Sequence, residues 1–102
     1  MIKIYHIMLP ERWEEVRESE SYTAESLFTE GFIHCSFPDQ LDGVIRRYFV
    51  DADQVVILEI DTGKLTSKLV SEPSTNGEPY PHIYGEINAG SVISSEYRKL
   101  AD

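Results

Sequence analysis

Three histidines, His6, His34 and His82, are the residues of this chain most suited to chemistry. Each falls in a segment that reads as a strand, and His34 and His82 share their strand faces with other polar or aromatic groups. Under period-2 alternation, His34 lies on one face with Phe32 and Ser36, and His82 with Tyr84 and Glu86. Two readings stand side by side: each histidine is half-buried and bonded to a neighbour, or all three converge on one cleft. Convergence has a zinc version, since three imidazoles can hold a catalytic zinc with an open fourth position. The spacing gives it little support: there is no CxxC or HxxxH, and His34 and Cys35 are adjacent on a strand and point to opposite faces. Cys35 shares a face with Ile33 and reads as a small buried hydrophobe rather than a nucleophile. The eighteen acidic residues offer many carboxylate pairs, and no spacing rule selects among them.

The elements that must position these groups follow from patterning. Residues 2–7 read as a strand with Ile2, Ile4 and His6 on one face. Pro10 opens a helix through Glu18 whose buried stripe is Trp13 and Val16. A second short helix runs from Ala24 to Thr29, with Thr23 as cap and Gly31 beyond its end. Residues 32–36 form a strand, and Pro38 opens a third helix to about Phe49 on the stripe Leu41, Val44, Ile45, Tyr48, Phe49. Residues 54–60 are the strongest strand, apolar on both faces and therefore central. Lys68–Val70 is a weak strand. Residues 71–81, with three prolines and a glycine, read as the one long loop, and a Tyr80–Pro81 cis bond is an open option. Strands follow over residues 82–87 and from about Val92 to Arg98. The order β-α-α-β-α-β-β-β-β is α+β, with a mixed, mostly antiparallel split sheet and about three helices.

Composition bounds the function. The 102 residues form a single domain, 1–102, with one modest core. The net charge of −9 disfavours nucleic acid, whose binding rests on Lys and Arg neutralising phosphates. Anionic membrane surfaces are disfavoured for the same reason. A small anionic ligand stays open, because a local pocket can oppose the global sign. No apolar run approaches a membrane span, and the first residues do not read as a signal peptide. One cysteine excludes an internal disulfide, so the cytoplasm is the expected compartment. Oligomeric state is not legible.

Three stretches, His6-Ile-Met8, Glu30-Gly-Phe-Ile-His-Cys-Ser36 and Pro81-His-Ile-Tyr-Gly85, resemble the domain-of-unknown-function 952 family. Gln40 and the strand Val56–Ile60 fit too, so the resemblance spans nearly the whole chain. That family is thought to share the fold of NAD-dependent ADP-ribosyltransferases, and the RNA 2′-phosphotransferases are the closest parallel. They have an early-strand histidine and a later His-x-Ser, where this chain has His6 and His34-Cys-Ser36. The resemblance implies NAD as cofactor and an ADP-ribosyltransferase-like fold. His6 would meet the ribose or diphosphate side of the dinucleotide, and His34 and Ser36 the nicotinamide ribose. No residue matches the third catalytic motif; Glu86, His82 and Tyr84 are its candidates.

Cleaving the nicotinamide–ribose bond needs an oxocarbenium-like centre to be held and stabilised. Catalysis would then fall to His6, His34, Ser36 and Glu86. Ligand binding would fall to His6, His34, Ser36, His82 and Tyr84, with Tyr22, Phe32 and Tyr84 as stacking surfaces for a flat base. Arg46 and Arg47 could offset phosphate charge, although a solvated helix face is the reading the sequence favours for them. Two functions are compatible with this: an NAD-using transferase or hydrolase, or a non-catalytic module that binds a small nucleotide ligand on the same fold. The RNA phosphotransferases carry an extra domain and a basic surface that this chain lacks, which argues against an RNA substrate.

Overall fold

A computed structural model describes residues 3–74 and 76–100. The elements run β1 (Lys3–Met8), α1 (Pro10–Val16), β2 (Ser21–Tyr22), α2 (Glu25–Thr29), β3 (Ile33–His34), a 3-10 turn (Pro38–Gln40), α3 (Leu41–Tyr48), β4 (Gln54–Asp61), β5 (Lys68–Pro73), β6 (Pro79–Tyr84), β7 (Ile87–Asn88), a second 3-10 turn (Ala89–Ser91) and β8 (Val92–Lys99). Among the described residues, three α-helices and three small sheets make an α+β domain. The sheets are ordered β1-β4-β8, β2-β7 and β3-β6-β5. Every strand pair among them is antiparallel, so the mixed character expected of the sheet is not seen among the described residues.

β4 is the central strand of its sheet, and its two apolar faces serve two cores. Val56, Leu58 and Ile60 join Ile4, Met8, Trp13, Val16, Tyr22, Ile33, Cys35, Ile83 and Ile87 in the main core. Val55 and Ile57 face the other way, onto Leu41 and Ile45 of α3. Each buried Val, Leu or Ile contributes about 1.5–3 kcal/mol relative to an exposed one, so a strand apolar on both sides anchors both layers. On β1 the alternation of buried and less buried residues places Ile4, His6 and Met8 on the main-core face. Ile2, expected on that same face, lies outside the described residues.

One bridge joins the β1 sheet to the end of β3, and one further bond extends β3 along β6 within its own sheet. Ser36 and Tyr5 exchange backbone hydrogen bonds, each 2.8 Å, in a bridge beyond the end of β3. The Cys35 N–H donates to the carbonyl of Pro81 at 3.1 Å. Regular β3 is therefore only two residues long, and the five-residue strand expected there is instead handed from β6 to β1.

The long loop expected over 71–81 is mostly a hairpin. β5 pairs with β6 from Lys68↔Tyr84 to Pro73↔Pro79, and the turn is closed by the Ser74 N–H donating to the Glu78 carbonyl. Gly77, at φ +86°, supplies the left-handed residue of that turn. Prolines are tolerated here because a strand residue points its N–H and C=O to the same side. The carbonyls of Pro79 and Pro81 face Gln40 and Cys35, so their missing N–H groups are not taken from the β5 ladder. The Tyr80–Pro81 bond is trans.

The strand expected over 82–87 breaks at Gly85, whose φ is +154°. A Cβ there would lie 2.5 Å from Ser67 Oγ, so only glycine fits this turn. Residues 87–88 then leave β6 and pair with Ser21–Tyr22 as β7. α2 begins one residue later than expected, with Ala24 at its cap position and no side-chain cap from Thr23.

Candidate functional site

A cavity of about 760 Å³ opens between β1, α2, β3, α3 and the β5–β6 hairpin. Its walls include His6, Phe32, His34, Ser36 and His82, with Tyr48, Phe49 and Tyr80 at α3 and the hairpin. The three histidines come from well-separated stretches and meet here. Ligand sites of this kind are concave, of about 300–1,000 Å³, and carry a few convergent polar groups.

Each imidazole has one nitrogen tied to an oxygen acceptor. His6 is buried, and its Nδ1 lies 2.9 Å from the carbonyl oxygen of His34. A carbonyl only accepts, so Nδ1 carries the proton and Nε2 is left as the acceptor. Burial holds the His6 pKa below its ordinary value and keeps the ring neutral, outweighing the hydrogen bond to His34. His34 is exposed, with Nε2 3.2 Å from Glu30 Oε2. His82 is mostly buried, with Nδ1 2.7 Å from Glu72 Oε1. That same oxygen accepts from the Tyr84 hydroxyl at 2.5 Å. The bonds from Tyr84 and His82 hold the Glu72 carboxyl below the usual carboxylate range, and Glu72 in turn raises the Tyr84 hydroxyl.

The rings form a cluster. Phe32 stacks on His82 with centroids 4.0 Å apart and planes at 17°, and meets His34 edge-on at 5.0 Å. His34 and His82 are 5.3 Å apart, nearly perpendicular. Tyr84 tilts against Phe32 from outside the cavity walls, at 5.5 Å. It reaches the site through Glu72 rather than by lining it.

Two expected site residues are elsewhere. Glu86 is exposed, and its Oε2 accepts from Ser21 Oγ at 2.8 Å. The turn at Gly85 breaks the alternation that put Glu86 on the face of His82. Tyr22 is buried in the main core, edge-on to Trp13 with centroids 5.4 Å apart, and offers no face to the cavity. Cys35 is buried, and burial pushes its thiol well up, so it is held as an uncharged thiol. Among the described residues no three His, Cys, Asp or Glu side chains are grouped so as to hold a metal ion.

Glu72 and Glu30 escape the sequence reading. Glu72 is hidden because 71–81 does not read as paired strands. In the observed register Glu72 opposes Tyr80, which places it diagonal to His82, within reach of a long side chain. A hairpin centred on Asn76-Gly77 is the signal that could have found it. Arg47 donates to the Tyr80 hydroxyl at 3.4 Å and so stands at the cavity rim, while Arg46 is an exposed helix residue.

The hairpin is pinned to the rest of the site by Gln40. Its Oε1 accepts from the Phe37 N–H at 2.9 Å, and its Nε2 donates to the Pro79 carbonyl at 2.6 Å and to Glu78 at 3.2 Å. A buried amide with both ends satisfied fixes the α3 entry against β6. No helix among the described residues is long and apolar enough to cross a membrane.

Comparison with known proteins bears on the fold. A family model described as "Protein of unknown function (DUF952)" matches residues 7–95. The crystal structure of protein CC0527 from Caulobacter crescentus is similar at 23% identity and a TM-score of 0.87, over 97% of this chain and 88% of that one. Its solution NMR structure is similar at 24% identity and a TM-score of 0.83, over 99% and 88%. Curated proteins give no match. At this identity the likeness to CC0527 shows the fold alone.

Proposed function

This chain belongs to the DUF952 family of proteins of unknown function, and we propose that it binds NAD or an ADP-ribose-like nucleotide in the histidine-lined cleft. One observation carries the reading: His6, His34, Ser36 and His82, drawn from three separate stretches, line one cavity. The stacked Phe32–His82 pair presents the kind of flat surface that suits a base or a nicotinamide ring. His6 Nε2, neutral and proton-free, suits a ribose hydroxyl as donor. Arg47 at the rim suits a phosphate as a partner for its charge.

The position of Glu86 removes the carboxylate that the ADP-ribosyltransferase resemblance had offered for the third motif. The proposal is therefore one of binding first, and the module reading gains from it. A thermal-shift titration tests it. ADP-ribose at about 100 times its Kd stabilises the fold by about 2.7 kcal/mol through linkage, and His34→Ala abolishes the shift. An unchanged melting temperature at millimolar NAD and ADP-ribose would reject the reading.

A further inference from the structure

The ring of His82 is set in a way that ligand binding alone does not require, and a catalytic role for it rests on the nucleotide-cleft reading. Its Nδ1 faces Glu72 at 2.7 Å, and a carboxylate only accepts, so the proton sits on Nδ1. Tyr84 donates to the same carboxylate oxygen at 2.5 Å and holds it in place. Phe32, stacked at 4.0 Å, sets the plane of the ring. Nε2 is the nitrogen left over, and in the neutral imidazole it carries a lone pair. His82 lines the cavity, and no hydrogen bond to Nε2 occurs among the described residues. A carboxylate that fixes an imidazole tautomer, leaving the far nitrogen free in a cleft, is the arrangement by which proteins build a general base.

We propose that His82 is the general base of this cleft and Glu72 its positioning residue, acting on a ribosyl–nitrogen bond with a cationic leaving base. In the step, His82 Nε2 takes a proton from water as the water oxygen bonds to the anomeric carbon. The electron pair of the breaking carbon–nitrogen bond leaves with nicotinamide, which departs neutral. The proton on His82 is then lost to solvent, so NAD and water give ADP-ribose, nicotinamide and a proton. Any alcohol entering in place of water is transferred to by the same step.

The test uses the full chain and NAD. Nicotinamide release is followed at saturating NAD, where weaker binding no longer limits the rate, and ADP-ribose binding is followed separately by thermal shift. His82→Ala lowers the rate by on the order of 10²–10⁴-fold, and added imidazole partly restores it, which a structural role would not allow. Glu72→Gln lowers kcat more than it alters KM. Nitrogen-15 NMR of the neutral wild-type protein shows His82 protonated at Nδ1, and Glu72→Ala moves the proton towards Nε2. A protein that binds ADP-ribose but releases nicotinamide no faster than buffer overturns the base and leaves the binding reading intact. A His82→Ala variant as fast as wild type overturns it too. Absence of any ADP-ribose shift overturns the binding reading and the base with it; the NMR spectrum then tests only the Glu72–His82 pairing, which Nδ1–H upholds and Nε2–H overturns.

Discussion

The ring of His6 hydrogen-bonds through Nδ1 to the backbone carbonyl of His34, 2.9 Å away and 28 residues on in the chain. This bond ties the cleft's β1 wall to its β3 wall, and burial keeps the ring neutral.

The neutral state gives the fold a pH dependence. The folded His6 pKa lies below the unfolded one, so between the two the unfolded chain binds more protons, and stability rises with pH through that window. The contribution is complete above about pH 6.5 and is lost as pH falls through the folded value. Melting temperatures should therefore drop between pH 7 and pH 5. His6→Asn keeps a donor for the His34 carbonyl and should flatten that slope. An unchanged slope in His6→Asn would remove His6 as its source.

Gln40 should be among the costliest polar residues to truncate. Gln40→Ala leaves the half-buried Phe37 N–H and the carbonyl of the exposed Pro79 without their protein partner, and each lost hydrogen bond costs about 0.5–1.5 kcal/mol net. Urea unfolding should show a loss of about 1–3 kcal/mol. A loss under about 0.5 kcal/mol, the range of an ordinary surface change, would mean that the hairpin is held by something else.

Gly85 redirects the chain. Gly85→Ala should destabilise by about 1–3 kcal/mol, from its positive φ and its collision with Ser67. Ser67→Gly in the same chain should recover the collision part only, leaving the backbone cost. Full recovery would show that the φ imposes no strain.

The opposite outcomes for Glu86 and Glu72 show where sequence reading succeeds. Alternation along a strand is a local rule, and Phe32, His34 and Ser36, which it puts on one face, all border the cavity, as does Cys35. The apolar faces of residues 54–60 likewise announce the central strand, and Trp13 and Val16 the buried stripe of α1. The rule fails where the chain leaves the strand, as at Gly85, and Glu86 is lost with it. Glu72 is out of reach for a different reason. Its partner His82 is fixed by a hairpin register, and the prolines of 71–81 mask that hairpin because their tolerance depends on which neighbour each carbonyl faces. Tyr22 is misplaced because its role is set by the pairing of β2 with β7, which no local pattern announces.

Cys35 should behave as a core residue. A thiol reagent should leave it unmodified in the native protein and react fully in denaturant. Rapid native labelling would contradict its burial in the main core.

The central question is whether a nucleotide enters the cleft. The most direct measurement is a titration of the isotope-labelled chain with ADP-ribose, followed by amide and imidazole NMR. Shifts should concentrate at Phe32, His34, Ser36 and His82, while Tyr22 and Glu86 stay still. A flat response at millimolar ligand, or changes confined to the β2–β7 side, would contradict nucleotide binding at this site.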